Sequence, residues 1–169
     1  INSVRMLVLF ILLLGLSGVG AVVGIAKAYM DSAPVLDLAA IDDQAQTSFI
    51  YDADGNRITD YRGTENRIMV SINTMPSFLQ HAFVAVEDAR FYTHGGVDVK
   101  RIIGAFVTNF TTGSNQGGST ITQQLIKNTL LSSEQPYKRK IQEAYLAMQL
   151  EPRYTKEQIL EAYLNTIYL

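Results

Sequence analysis

Glu87 stands at the end of an apolar stripe. It follows Phe83 by four residues and Leu79 by eight, so helical geometry points it at the edge of the apolar face. Partial desolvation at such an edge favours the protonated carboxyl and raises its pKa. A carboxylate tuned in that way serves as a general base or acid near neutral pH. The position fits equally a helix-end carboxylate paired with Arg90, three residues later.

The segment GGSTITQQLIKN at 117–128 offers a second kind of chemistry. Paired glycines bring backbone close to a ligand, and a helix N-terminus behind them presents free N–H groups to an anion. Thr120, Gln124 and Lys127 fall at i, i+4 and i+7 and form one polar stripe, while Ile121 and Leu125 face the core. A hydroxyl, an amide and an ammonium in line suit a sugar phosphate. The pattern is not a Walker loop, because Lys127 lies well inside the helix. A glycine-rich loop before an ordinary amphipathic helix has the same spacing.

Glu143 follows Arg139 by four residues and Lys140 by three. On a helix all three share a face, and the two cations keep Glu143 ionised. The alternative is an exposed ion-pair cluster worth under ~1 kcal/mol. Two carboxylates in contrasting surroundings, Glu87 and Glu143, are what acid/base work at a sugar centre requires.

The elements that must position these groups are mainly α-helical. Pro76 suits a first helical turn, and Phe78, Leu79, Ala82, Phe83 and Val86 recur behind it at helical spacing. Asp98 is a good N-cap for a helix through Ile102, Ile103, Phe106, Val107 and Phe110. Residues 111–118 form a Gly/Ser/Thr/Asn-rich loop. Thr120 and Gln123 match a capping box opening the third helix. A fourth helix spans about 137–150, and a fifth starts near Thr155 with Gln158 three residues on.

Upstream the character changes. Residues 48–74 read as a small β-rich connector. Asp54-Gly55-Asn56 marks a hairpin turn, and residues 66–72 could add a further strand. Residues 29–47, acidic and Ala-rich with Pro34, read as a linker. Residues 1–28 hold an uncharged run from Met6 to Ala26, long enough at ~1.5 Å per residue to cross a ~30 Å hydrocarbon core. Ala26-Lys27-Ala28 resembles a signal cleavage pattern, but the run exceeds the usual ~7–15-residue signal core. An uncleaved transmembrane anchor is the expectation. Gly20 and Gly24 have a helix-approach spacing that is common in any membrane helix.

Composition narrows the classes further. With no cysteine and two histidines among 169 residues, a thiol nucleophile is absent and a multi-histidine metal centre is disfavoured. The net charge of −2 argues against nucleic acid. That charge is uneven: residues 31–66 carry eight acids against two bases, and residues 119–156 carry six bases against three acids. The basic stretch suits a local anionic group or a solvated charged face. The first residue is Ile1, and the sequence stops at Leu169 within an apolar pattern, so the chain reads as part of something longer.

With these residues in place, the sequence resembles the family 51 peptidoglycan glycosyltransferases, the domain of class A penicillin-binding proteins and monofunctional transglycosylases. EDARFYTHGG at 87–96 is similar to that family's EDxxFxxHxG motif. GGSTITQQLIKN, RKIQE at 139–143 and ILEAYLN at 159–165 resemble its second, third and fourth motifs, in order. The resemblance covers 75–169, an incomplete glycosyltransferase domain, since the family continues beyond the fourth motif.

It implies a mainly α, lysozyme-like fold with a membrane-proximal hydrophobic lobe. Glu87 is implied to be the base that deprotonates the acceptor sugar. Glu143 is implied to assist departure of the lipid pyrophosphate, directly or by organising a divalent cation, Mg or Mn. Thr120, Gln124, Lys127, Arg139 and Lys140 match positions lining the donor's phosphate-sugar site. The implied reaction is inverting transfer from lipid II to a growing glycan strand, outside a bacterial cytoplasmic membrane, with a cell-wall synthesis complex as the wider partner. Two competing readings are a peptidoglycan-cleaving hydrolase or lytic enzyme on the same fold, and a non-catalytic membrane-anchored scaffold. The polar stripe and the Arg139–Lys140 pair argue against the first, and the presence of both glutamates against the second.

Overall fold

The structure, a computed structural model, describes residues 2–42, 48–61, 68–113, 117–132 and 135–167. It opens with α1 (Asn2–Asp31), whose 30 residues have the length and apolar composition to cross a membrane. The apolar side chains along it are exposed, so no other part of the described chain covers them. Its last turn packs on α6 (Pro136–Leu150): Gln142 Nε2 donates to Tyr29 O and to Ser32 Oγ, both at 3.2 Å.

Part of the stretch read as a linker is structured. After Pro34 the chain forms α2 (Leu38–Asp42), with Asp37 Oδ1 accepting from the N–H of Ala39 at 3.0 Å. Leu36 and Ile41 are buried in the main core. The acidic composition concealed a few apolar side chains that find partners only in three dimensions. Residues 43–47 lie outside the described residues.

The hairpin expected around Asp54-Gly55-Asn56 is present. β1 (Ser48–Tyr51) pairs antiparallel with β2 (Arg57–Tyr61). Gly55 turns the chain at φ +84°, where a Cβ would be strained, and Asp52 accepts from the N–H of Asn56 at 2.8 Å. The further strand does not form among the described residues 68–72. Instead Asn165, from α7 (Lys156–Thr166), makes both ladder bonds to Val70, each at 2.9 Å, and Ile72–Thr74 is a 3-10 turn. Side chains from a helix satisfy this backbone, so it needs no neighbouring strand. Asn66 and Arg67 lie outside the described residues.

The core is built from α5 (Ile121–Leu130), α6 and α7. Ile121, Leu125 and Ile126 meet Leu146, Ala147, Leu150, Ile159 and Leu160, all almost fully buried. The sharp helix starts come from two complete capping boxes, Thr120 with Gln123 and Thr155 with Gln158.

α3 (Ser77–Glu87) and α4 (Val99–Thr112) behave differently from expectation. Their helical spacing was right, but most of their apolar side chains stay outside the core, which α3 reaches through Val84 and Phe83. Phe78 and Val86 are 74% and 76% exposed, and Phe106 and Phe110 are 72% and 85% exposed. The buried residues of these helices are Val84 and Ala105. Periodicity reports that a helix has an apolar face, and it does not report what that face meets.

Candidate active site

Glu87 is the last residue of α3, because Asp88 departs from helical geometry at φ −157°, ψ 70°. The Asp88 side chain is fully buried. Its carboxylate accepts from the N–H of Ile121 at 3.1 Å and lies 2.9 Å from His94 Nε2. Asp88 therefore pins the end of α3 against the start of α5, where the helix dipole also favours an anion. One turn into α5, Gln124 Nε2 then donates to Glu87 Oε2 at 2.7 Å. Tyr163 OH donates to Gln124 Oε1 at 3.2 Å and so sets the orientation of that amide. Burial, assisted by the Glu87 charge, pushes the Tyr163 phenol up to about 12. It stays protonated, and able to donate, throughout the neutral range.

Arg90 is not the partner of Glu87. Its guanidinium grips Asp98 at both oxygens, at 2.8 and 2.5 Å. Asp98 also accepts from the N–H of Arg101 at 3.0 Å. Burial of Asp98 works to raise its pKa, but the bonds from Arg101 and Arg90 and the Arg90 charge outweigh it and hold the carboxyl below its ordinary value.

Glu143 is 1% exposed, which rules out an ordinary surface ion pair. Its oxygens lie 2.5 Å from Lys140 Nζ and 3.5 Å from Arg139 Nε. Lys140 also donates to Ser119 Oγ at 2.5 Å, joining α6 to the glycine-rich loop before α5.

These groups converge. A cavity of about 290 Å³ is lined by Glu87, Arg101, Gly117, Ser119, Gln124, Lys127, Arg139, Lys140 and Glu143. Four cationic side chains face two carboxylates there, a net positive wall suited to an anionic group. Both glutamates and four of the five expected binding residues are in it.

Thr120 is the exception. Its hydroxyl donates to Gly96 O at 2.6 Å and accepts from the N–H of Gln123 at 3.1 Å, and the residue is fully buried. The N-cap role consumes the hydroxyl and turns it away from the cavity. Gly96 is held at φ +86°, and a Cβ on it would lie 2.7 Å from Ala147 backbone atoms, so this contact also depends on a glycine. Thr120→Ala is expected to destabilise the fold by about 1–2 kcal/mol. Thermal unfolding with and without a pocket ligand checks it: the ligand-induced stabilisation should remain that of the unsubstituted protein.

Arg101 escaped the sequence reading because the spacing of α4 drew attention to its apolar residues. The signal was the Asp98–Arg101 interval at the helix start. Asp88, His94 and Asp98 bring ligand atoms within 4.8 Å of one another, but they fit a metal poorly. Arg90 already occupies both oxygens of Asp98, and Asp88 is committed to His94 and Ile121.

Residues 54–169 match the model of the transglycosylase family, more than half of the chain. The chain belongs to the transglycosylase family. Among similar proteins, penicillin-binding protein 1A of Clostridium perfringens (strain 13 / Type A) is 48% identical over 163 residues, covering 93% of this chain and 24% of the relative. Penicillin-binding protein 1A/1B of Bacillus subtilis (strain 168) is 48% identical over 164 residues, covering 96% and 17%. Penicillin-binding protein 1A of Clostridium tetani (strain Massachusetts / E88) is 43% identical over 174 residues, covering 99% and 22%. The chain thus spans about a fifth of the length of these curated relatives. The transglycosylase match includes every residue of the cavity wall. The mainly helical domain behind one apolar N-terminal helix agrees with the lysozyme-like class expected.

Proposed function

We propose that this transglycosylase chain is the glycan-polymerising part of a longer, membrane-anchored protein that joins lipid II units into peptidoglycan strands. The observation carrying this reading is one cavity in which Glu87 and Glu143 stand among Lys127, Arg139 and Lys140. A hydrolase of finished glycan needs a carboxylic acid and a sugar cleft, but no such concentration of positive charge.

In this reading Glu87 takes the proton from the acceptor sugar's 4-hydroxyl, and Gln124 holds the carboxylate in place. The acceptor oxygen bonds to the donor's anomeric carbon from the face opposite the leaving group, inverting it. The bond from that carbon to the pyrophosphate oxygen breaks, and its electron pair leaves with the lipid pyrophosphate. Lys127, Arg139 and Lys140 meet the charge that develops there. Glu143 holds the last two cations in position through its contacts at 2.5 and 3.5 Å. Mg or Mn binds through one or two carboxylates together with substrate phosphates, so Glu143 is the residue that would hold one. Such an ion would supply further positive charge at the pyrophosphate, in competition with Lys140 at 2.5 Å.

The exposed apolar residues of α3 and α4 support contact of this lobe with the bilayer that α1 crosses. A lipid-linked donor used to build strands outside the cell supports an extracytoplasmic position for the domain on a bacterial cytoplasmic membrane. Protease added to intact spheroplasts should then degrade it, and full protection would contradict this orientation.

The functional test is incubation of the full-length protein with lipid II and, separately, with finished glycan, with Mg²⁺ or a chelator. Lengthened strands from lipid II support the proposal, and shortening of finished glycan alone refutes it. Lys127→Ala should weaken binding of a lipid-pyrophosphate analogue by about tenfold or more, the scale of a charge-assisted bond. It should leave the melting temperature nearly unchanged, because Lys127 is exposed and leaves no cavity.

A further inference from the structure

The mechanism above gives Arg101 no particular task, yet its contacts are specific. Arg101 is the third residue of α4, and its backbone N–H is held by Asp98, which Arg90 fixes in turn. From there its half-buried guanidinium reaches back, and Nη1 donates to the backbone carbonyl oxygen of Glu87. Carbonyls at a helix C-terminus lack intrahelical partners, and a cation there also complements the helix dipole. Glu87 is therefore held at two points: its side chain by Gln124, its backbone by Arg101.

The guanidinium sits where two cavities meet. It lines the active-site cavity, and it also lines an adjoining cavity of about 430 Å³ with Gly104, Ala105, Thr108 and Gly117. Gly104 and Ala105 line this second cavity beside the guanidinium, whose rigid, planar fork gives its bond to the carbonyl a fixed geometry. A lysine there can still donate to the carbonyl, though without the fixed geometry.

We propose that Arg101 is a positioning residue for Glu87. It fixes the backbone from which the carboxylate enters the pocket and ties the start of α4 to the end of α3. This role rests on the glycan-polymerising function proposed above. A misplacement of the base by ~1 Å can cost about 10²-fold in rate. A contact made to the backbone of Glu87 should act on turnover rather than on donor affinity.

The test compares R101A, R101Q and R101K in the full-length protein. The measurements are kcat and KM for lipid II polymerisation, affinity for a lipid-pyrophosphate analogue, and melting temperature. R101A should lose about 10²-fold in kcat. R101Q should lose less and R101K least, with analogue affinity constant across the series. If R101A fails to fold, the order of R101K above R101Q carries the test. Near-normal kcat in R101A or R101Q overturns the proposal. So does a loss of affinity that matches the loss of turnover, since Arg101 would then be a phosphate ligand. Activity that follows melting temperature, without rescue by lysine, overturns it as well. Wild type and Glu87→Gln run alongside. Absent polymerisation by the wild type would sink the underlying function, whereas an active wild type with unaffected Arg101 variants would sink this inference alone.

Discussion

Glu87→Gln in the full-length protein should lower lipid II polymerisation by about 10²–10⁴-fold, the usual consequence of losing a general base. Glutamine keeps the size of the side chain and can still bond to the Gln124 amide, which now lies 2.7 Å from the carboxylate. It cannot accept the acceptor's proton. Glu87 is half-buried and outside the hydrophobic core, so the fold should be little disturbed. Affinity for a lipid-pyrophosphate analogue should persist, because Lys127, Arg139 and Lys140 are untouched. Single-turnover polymerisation and analogue binding, measured on the same preparation, separate the two effects. Near-normal polymerisation by this variant would remove the centre of the mechanism.

Glu143→Gln should fail differently. The carboxylate is buried beside Lys140 at 2.5 Å and Arg139 at 3.5 Å, and neutralising it leaves two cations facing each other without their counter-charge. Removing one partner of a fully buried ion pair costs about 3–5 kcal/mol. Here the loss should be smaller, about 1–3 kcal/mol, because the Lys140 and Arg139 side chains are 50% and 38% exposed and can turn toward water. Lys140 also loses the anchor that holds it beside Ser119. Polymerisation should fall by about 10²–10³-fold, the scale of losing one preorganised electrostatic group. Unlike Glu87→Gln, this variant should also bind the pyrophosphate analogue more weakly and melt earlier. Full affinity together with unchanged stability would show that Glu143 does not organise the basic wall.

Much of the local structure was legible before any coordinates. The capping boxes at Thr120 and Thr155, the N-cap at Asp98 and the hairpin turn at Gly55 are each set by residues within four positions of one another. Such signals act through short-range hydrogen bonds and dihedral preferences, so they survive in the linear sequence. The uncharged run from Met6 to Ala26 within α1 is equally direct. The clustering of catalytic candidates was legible through the resemblance of four ordered motifs, and the cavity brings together the Glu87, Gln124, Lys127, Arg139, Lys140 and Glu143 that it implied.

Packing was not legible. Thr120 shares a helical stripe with Gln124 and Lys127, yet it turns inward because Gly96 offers it a carbonyl from 24 residues away. Phe78 and Val86 of α3 and Phe106 and Phe110 of α4 have core-like spacing and remain exposed, while Leu36 and Ile41, in an acidic stretch, are buried. Residues 29–42 join the domain through Gln142 of α6, more than 100 residues along the chain.

The sequence by itself determined which residue types were present, where helices start and stop, and the order of the motifs. Only the tertiary structure decided that Gln124 meets Glu87 across 37 residues, that Glu143 is buried beside its cations, and that Arg101 reaches the Glu87 carbonyl. The reason is range. Helical period and capping are settled within one or two turns of chain, whereas burial and partner choice depend on which distant elements pack together, and Asp88 makes that choice by joining the end of α3 to the start of α5.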